Sequence, residues 1–281
     1  MLSGDSDARV ARSLKLTLQY DGTDFHGWQR QPGMRTAQGT LEDALSRLLN
    51  TALEVNGASR TDAGVHATGQ VATLECVHSI PTERLVQAVN GLLPADLRVV
   101  EAQQVTSDFH ARFSAVGKHY RYLIDRRSIA SPFDGRYSLH LIADLDIEAM
   151  EQAAASFLGR HDFAAFQCAT DQAPESTVRE IGAVIFSEYN GLLAIHVWGQ
   201  SFLYKMVRTM VGTLLEVGRR SRTADSVISA LQACDRRTAG ATAPAQGLCL
   251  IKVYYDEDEF SRDYEDSSAV AYRNMMPRGI R

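Results

Sequence analysis

Leu14, Leu16, Leu18 and Tyr20 alternate with Lys15, Thr17 and Gln19, the period-two pattern of a strand with one buried face. The chain then enters a polar stretch rich in glycine and glutamine, Asp21 to Arg35. Beyond it, Leu41, Ala44, Leu45, Leu48 and Leu49 recur at helical spacing and make one apolar face. Leu53 to Gly57 and Gln70 to Val77 read as strands entering and leaving a short polar loop. Pro81 starts a helix that runs through Leu93, because proline suits a first helical turn. Leu97 to Val105 predicts another strand.

The second half has a similar rhythm. Lys118 to Asp125 is a strand in which Tyr120, Tyr122 and Ile124 share a face. Ile147, Met150, Ala154, Phe157 and Leu158 mark a helix. Glu180 to Ser187 and Leu192 to Gly199 form a hairpin about Tyr189-Asn190-Gly191, since Asn-Gly suits a tight turn. Leu203, Met206, Val207, Met210, Val211 and Leu214 form a helical stripe. A further helix runs from about Ala224 to Cys234, and Leu248 to Tyr255 is the last strand.

A strand–helix–strand–strand–helix–strand cadence thus occurs roughly twice. It predicts an α+β protein of two halves with mainly antiparallel sheets. The halves are 13–117 and 118–255. A flexible N-terminus, 1–12, precedes them, and an acidic, flexible C-terminal tail, 256–281, follows. Within the second half, Ser128 to His140 reads as a connecting segment holding Pro132 and Gly135.

Composition narrows the class. At 281 residues the chain is long enough for two packed halves, and 45% hydrophobic with 22% charged residues is ordinary for a globular protein. No apolar run approaches the roughly 20 residues that span a bilayer, and the first 12 residues lack the apolar core of a signal peptide, so a cytoplasmic protein is expected. The four cysteines form no CxxC pair and read as buried or half-buried reduced thiols. There is no phosphate-binding GxxxxGK[ST], no GxGxxG after a strand and no metal-ligand spacing. The net charge is −5, and residues 256–281 carry seven acids against four arginines. A polyanion partner would therefore have to meet local clusters of Arg and Lys.

The most informative run is Arg60-Thr61-Asp62-Ala63-Gly64-Val65-His66. It sets one carboxylate in a short glycine-containing turn between an arginine and a histidine. Backbone N–H groups and a guanidinium would keep such a carboxylate ionised and aimed, as nucleophilic or general-base chemistry requires. An Asx-turn or a helix cap is the competing structural use of an Asp in a turn.

The run resembles the signature of the TruA-type tRNA pseudouridine synthases, and further parts of that family's pattern follow in order. They are Tyr20-Asp21-Gly22-Thr23 with Phe25 and Gly27-Trp28-Gln29-Arg30; Gly69-Gln70-Val71; Asp108 to Ala115; Tyr120-Arg121-Tyr122; and Met206-Val207-Arg208 with Val211-Gly212 and Glu216-Val217-Gly218. The resemblance spans roughly Leu14 to Tyr255. It implies two ferredoxin-like halves whose sheets join around a central catalytic cleft. It also implies isomerisation of uridine to pseudouridine in the anticodon stem-loop of tRNA, at positions 38 to 40, by a homodimer that uses no cofactor and no metal.

The same resemblance implies site residues. Asp62 is the essential carboxylate, Tyr120 the tyrosine that packs on the target base, and Arg208 an arginine that reaches the site. Arg60 pairs with Asp62 or with a phosphate near the flipped nucleotide. On the predicted helix, Arg208 and Lys205 fall off the apolar stripe and on one side, where a solvated face is the ordinary reading. Arg30, His66, His110, Arg112 and Lys205 are the remaining candidates for RNA contact. For His66 and His110 loop-ordering is an equal reading, Trp28 reads equally as a core anchor, and Phe109 and Phe113 read as packing. Two positions depart from the family pattern: Ser59 stands where glycine is frequent, and Lys205 where histidine is more usual. Substrate choice lives in such loops, so the same chemistry at another RNA site, or tRNA binding without catalysis, are the rival expectations.

Overall fold

The computed structural model describes residues 11–78, 80–170 and 174–275. The chain divides into two compact units, Met1–Ala115 and Val116–Arg281. Each is α+β with mainly antiparallel strand pairing.

The first unit runs β1 (Ala11–Tyr20), α1 (Ala37–Leu49), β2 (Asn56–Gly57), β3 (His66–Val77), α2 (Thr82–Asn90) and β4 (Leu97–Val105). β1 lies between β3 and β4 and is antiparallel to both. Leu14, Leu16, Leu18 and Tyr20 are all buried, as their alternation predicts. Thr36 caps α1 by accepting the Gly39 N–H at 3.2 Å, and the helix buries Leu41, Ala44 and Leu45. The strand expected over Leu53 to Gly57 shrinks to the two residues of β2, whereas β3 starts four residues earlier than expected, at His66. Ala11 and Arg12, the last two residues of the expected N-terminal segment, belong to β1 and pair with Val77 and Cys76 of β3. Residues 1–10 of that expected flexible segment lie outside the described residues.

The second unit runs β5 (Gly117–Asp125), β6 (Leu139–His140), α3 (Ile147–Ala155), β7 (Gly159–Asp162), β8 (Val178–Tyr189), β9 (Leu192–Gly199), α4 (Met206–Gly218), α5 (Ser226–Ala233), β10 (Leu248–Tyr254) and α6 (Glu257–Met275). Its strands lie in the order β10-β5-β9-β8-β7, antiparallel throughout, and β6 adds a short parallel pairing to β5. The β8–β9 turn holds Asn190 at φ 50° and Gly191 at φ 78°. Two consecutive positive φ values define the hairpin turn that Asn-Gly favours.

One face of this sheet carries Tyr120, Tyr122 and Ile124, aligned with Val197, Ile195 and Leu193 of β9. The other carries His119 and Trp198, paired across β5 and β9 and stacked at 3.9 Å, with His119 Nε2 and His196 Nδ1 2.9 Å apart. Burial lowers the two imidazoles, to about 2 for His119 and about 4 for His196, so both are neutral.

The acidic C-terminal stretch expected to be a flexible tail is α6 instead. Phe260 and Tyr264, four residues apart, form an apolar stripe that packs on Ala183, Trp198 and Tyr254. Between them Asp263 accepts hydrogen bonds from Trp198 Nε1 at 3.1 Å and from the Tyr254 hydroxyl. A two-residue stripe inside a run of acids is too brief to stand out as periodicity. Residues 276–281 lie outside the described residues. Cys234 also departs from expectation, being exposed, and no cysteine forms a disulfide. Among the described residues no helix is long and apolar enough to cross a membrane.

Candidate active site

Asp62 opens a tight turn in which its carbonyl accepts the Val65 N–H at 3.1 Å, with Gly64 at φ 78°. The turn is clamped by a second loop, residues 21–35. Trp28 N–H donates to the Thr61 carbonyl at 3.0 Å, and Gly64 N–H to the Phe25 carbonyl at 3.3 Å. Gly27 has φ 87°, and a Cβ there would stand 2.8 Å from the Thr61 oxygen, so the two loops meet backbone to backbone. Trp28 itself is buried against Tyr20, 6.2 Å between ring centroids, which selects the core-anchor reading.

Side chains complete the clamp. Tyr20 Oη and Thr61 Oγ1 are hydrogen-bonded at 2.7 Å, both buried. Gln70, also buried, reads the backbone of Ser59: its Nε2 donates to the Ser59 carbonyl at 2.7 Å and its Oε1 accepts the Ser59 N–H at 3.2 Å. The residues on both sides of Arg60 are thereby fixed, while Arg60 is exposed and Asp62 half-buried. A carboxylate in that setting stays accessible to a ligand while its backbone has little freedom.

His66 is only 5% exposed, and its Nδ1 accepts the Gly22 N–H at 3.0 Å. The Gly22 bond ties the end of the Asp62 turn to loop 21–35, the arrangement that the loop-ordering reading of His66 describes. Arg30 donates to Glu42 at 2.8 Å and Asp43 at 3.0 Å while staying half-exposed, tying loop 21–35 to α1. Gln38 and Glu42, both buried, extend that tie: Gln38 Oε1 accepts from Arg30 N–H at 2.8 Å, and Glu42 Oε1 accepts from Val55 N–H at 3.0 Å. Neither was singled out in the sequence, because a polar residue at a helical position looks solvated until its partners are known.

His110 ends a turn by accepting the Arg112 N–H at 3.1 Å. Phe113, expected to pack, is 75% exposed, with its ring 4.5 Å from that of His110 and 5.5 Å from the Arg112 guanidinium. The packing role in this turn falls to Ala111, which is fully buried and bonded through its N–H to Thr73 Oγ1 at 3.3 Å. Arg112, His110 and Phe113 therefore form an outward-facing cationic and aromatic group.

In the second unit, Tyr120 is buried on β5, edge-on to Phe202 at 5.1 Å. Tyr122 is fully buried, and its hydroxyl donates to the Pro244 carbonyl at 2.9 Å. Burial raises its pKa far above the usual phenol range, with the nearby Arg208 charge opposing, so it serves as a donor. Arg208 is half-buried near the start of α4, its Nε donating to the Ala243 carbonyl at 2.8 Å. Lys205 does not share a helix face with it. It is the residue before α4, at φ 58°, and its ammonium lies 4.8 Å from the Tyr204 ring. The i, i+3 argument from sequence fails because the helix begins at Met206.

Comparison with known proteins gives the class. The family model of tRNA pseudouridine synthases matches residues 17–114 and 153–256, which contain the Asp62 turn and α4. The chain belongs to that family and is an isomerase that forms pseudouridine in tRNA. It is 43% identical over 244 residues to the tRNA pseudouridine synthase A of Acetivibrio thermocellus and 44% over 245 residues to that of Ruminiclostridium cellulolyticum, covering 87% of this chain and 100% of each relative. The Myxococcus xanthus protein of the same name is 46% identical over 243 residues, 86% of this chain and 91% of the relative. The family match stops at residue 256, one residue before α6, and Tyr120 lies between its two stretches.

Proposed function

We propose that the enzyme converts uridine to pseudouridine at positions 38 to 40 of the tRNA anticodon stem-loop, with Asp62 as the essential carboxylate. The observation that carries this reading is the Asp62 turn, held through the backbone on both sides while its side chain stays half-exposed. The reaction breaks the C1′–N1 bond, turns the base and forms a C1′–C5 bond; C5 loses a proton and N1 gains one. Nothing is oxidised and no group is donated from outside, so the proposed cycle needs no cofactor. An ionised carboxylate beside the sugar of a flipped nucleotide serves this reaction as a nucleophile or as a base.

Tyr120 is assigned to the target base, which its ring would contact, and Arg208 to holding negative charge in the reacting complex. Arg60, exposed next to the turn, would meet a phosphate, as would Arg112 with His110 and Phe113 beside it. Arg30 and Lys205 are assigned to RNA contact through their exposed or half-exposed ends. We also propose a cytoplasmic homodimer, so that one tRNA can meet cationic groups of two copies despite the net charge of −5.

The test is pseudouridine formation on unmodified tRNA transcript, with no added metal or cofactor, for wild type and Asp62→Asn. Product at positions 38 to 40 with wild type, and at least a thousandfold slower reaction with unchanged tRNA affinity for Asp62→Asn, is the expected result. Product at another uridine would keep the carboxylate and replace the target. Equal rates for the two proteins would remove Asp62 from the chemistry.

A further inference from the structure

Helix α4 is buried along almost its whole length. Of its thirteen residues only Arg208 and Glu216 are not buried. They lie eight residues apart, about 80° around the axis and about 12 Å along it. Both reach the same loop, residues 238–244.

At the N-terminal end of the helix the grip is reciprocal. Arg208 Nε donates to the Ala243 carbonyl at 2.8 Å, and the Ala243 N–H donates to the Arg208 carbonyl at 3.0 Å. At the other end Glu216 Oε1 accepts the Ala241 N–H at 2.8 Å. Its Oε2 accepts Arg222 Nε at 2.9 Å, and Arg222 NH1 donates to the Thr238 carbonyl at 2.7 Å. Between them Thr213 Oγ1 accepts the Gly240 N–H at 2.9 Å. The loop lies so close to the helix that a Cβ on Gly212 would stand 1.7 Å from the Ala241 oxygen.

This arrangement leaves Ala243 little choice of position. Its carbonyl sets the direction of the Arg208 guanidinium, while its own place is set by its N–H on the Arg208 carbonyl, by the neighbouring Thr242–Thr209 contact and, two residues back, by the Glu216 grip on Ala241. Burial pulls the Glu216 carboxyl upward, but the Ala241 N–H and Arg222 outweigh it and keep the group ionised. Tyr122 is referred to the same loop through Pro244. The Glu216-Val217-Gly218 motif has no part in the chemistry described so far.

We infer that Glu216 is a positioning residue for pseudouridine formation, clamping loop 238–244 onto α4 and so aiming Arg208 through the Ala243 carbonyl. The inference rests on the reading that Arg208 acts in the reaction. Misplacement by about 1 Å of a group that works by orientation can cost on the order of a hundredfold in rate.

The experiment is a double-mutant cycle of Glu216→Ala and Arg208→Ala. Single-turnover pseudouridine formation, tRNA affinity and thermal unfolding are measured on each protein, using the tRNA that wild type converts. Glu216→Gln is added as a variant that retains an oxygen for the Ala241 N–H. Expected for Glu216→Ala is a rate loss of about 10–100-fold with tRNA affinity changed less than about threefold, and a smaller rate loss for Glu216→Gln. In the Arg208→Ala background, Glu216→Ala should cost almost nothing further. Losses that multiply across the cycle, or a folded Glu216→Ala protein at wild-type rate, overturn the inference while leaving Arg208 in place. Wild-type rate for Arg208→Ala removes the reading of Arg208 itself, and the inference with it. Should Glu216→Ala fail to fold, Glu216→Gln with and without Arg208→Ala decides by the same criterion.

Discussion

The Asp62 turn and the Arg208 helix solve one problem in two ways. Asp62 sits on a turn with no regular structure of its own, and its place comes from neutral hydrogen bonds made by a neighbouring loop, by Tyr20 and by Gln70. Arg208 sits on a buried helix, and its direction comes from a carbonyl held at a distance by the ionised pair of Glu216 and Arg222. Neutral bonds in a buried setting are insensitive to salt and to moderate changes of pH, whereas an ion pair about a quarter exposed is screened by salt. The Asp62 backbone is thus held directly by neutral bonds, with the Arg30 ion pairs one loop further back, whereas Arg208 is directed by a carbonyl whose loop is itself clamped by an ion pair.

The comparison can be broken most severely from below. Trp28 supports loop 21–35, and Trp28→Ala should lower stability by about 3–5 kcal/mol and abolish activity. Denaturant unfolding checks this; a loss under about 1 kcal/mol would mean that the indole is not what holds the two loops together.

Acid should separate the units next. His119 and His196 are neutral in the folded second unit, while their unfolded counterparts take up protons below about pH 6.5. The unfolded state then binds more protons, so stability falls as pH falls. The slope is about 1.4 kcal/mol per pH unit for each histidine, down to about 4 for His196 and about 2 for His119. His196→Asn should flatten the dependence of unfolding free energy between pH 6.5 and 4.5. An unchanged slope would place the titrating groups elsewhere.

A gentler cut at the neutral clamp is Tyr20→Phe, which removes the hydroxyl that meets Thr61. It should cost about 1 kcal/mol of stability, with a measurable fall in rate and little change in tRNA affinity. The smallest effect on the fold is expected for Phe113→Ala. An exposed ring should leave stability within about 0.5 kcal/mol of wild type. If it stacks on a base, tRNA affinity should fall by about 1–3 kcal/mol. Unchanged affinity in a filter-binding titration would reduce Phe113 to a surface residue.

Much of the fold was legible because strands and helices announce themselves by period. The alternation at Leu14 to Tyr20, the stripe at Leu41 to Leu49, the Asn190-Gly191 turn and the strand from Leu97 to Val105 all correspond to elements. The family was legible around Asp62 because its flanking glycine, arginine and histidine are unusual together. The clamps were not. Gln38, Glu42, Thr61 and Arg222 look like ordinary polar residues until the backbone groups and, for Thr61, the Tyr20 hydroxyl that they satisfy are brought beside them. The start of α4 was misjudged for a related reason: apolar periodicity continues through Leu203 and cannot show that Lys205 leaves the helical region.

By itself the sequence determined the α+β class and the membership of the tRNA pseudouridine synthase family, since these are carried by local period and by rare residue combinations. Only the tertiary structure decided that His66 is buried, that Phe113 faces outward, that the acidic C-terminal stretch folds as α6, and that Glu216 reaches a loop 25 residues further on. Each of these turns on where a distant backbone group or ring ends up. A side chain's role is set by its partners, and partners far apart in the chain leave no mark on local pattern.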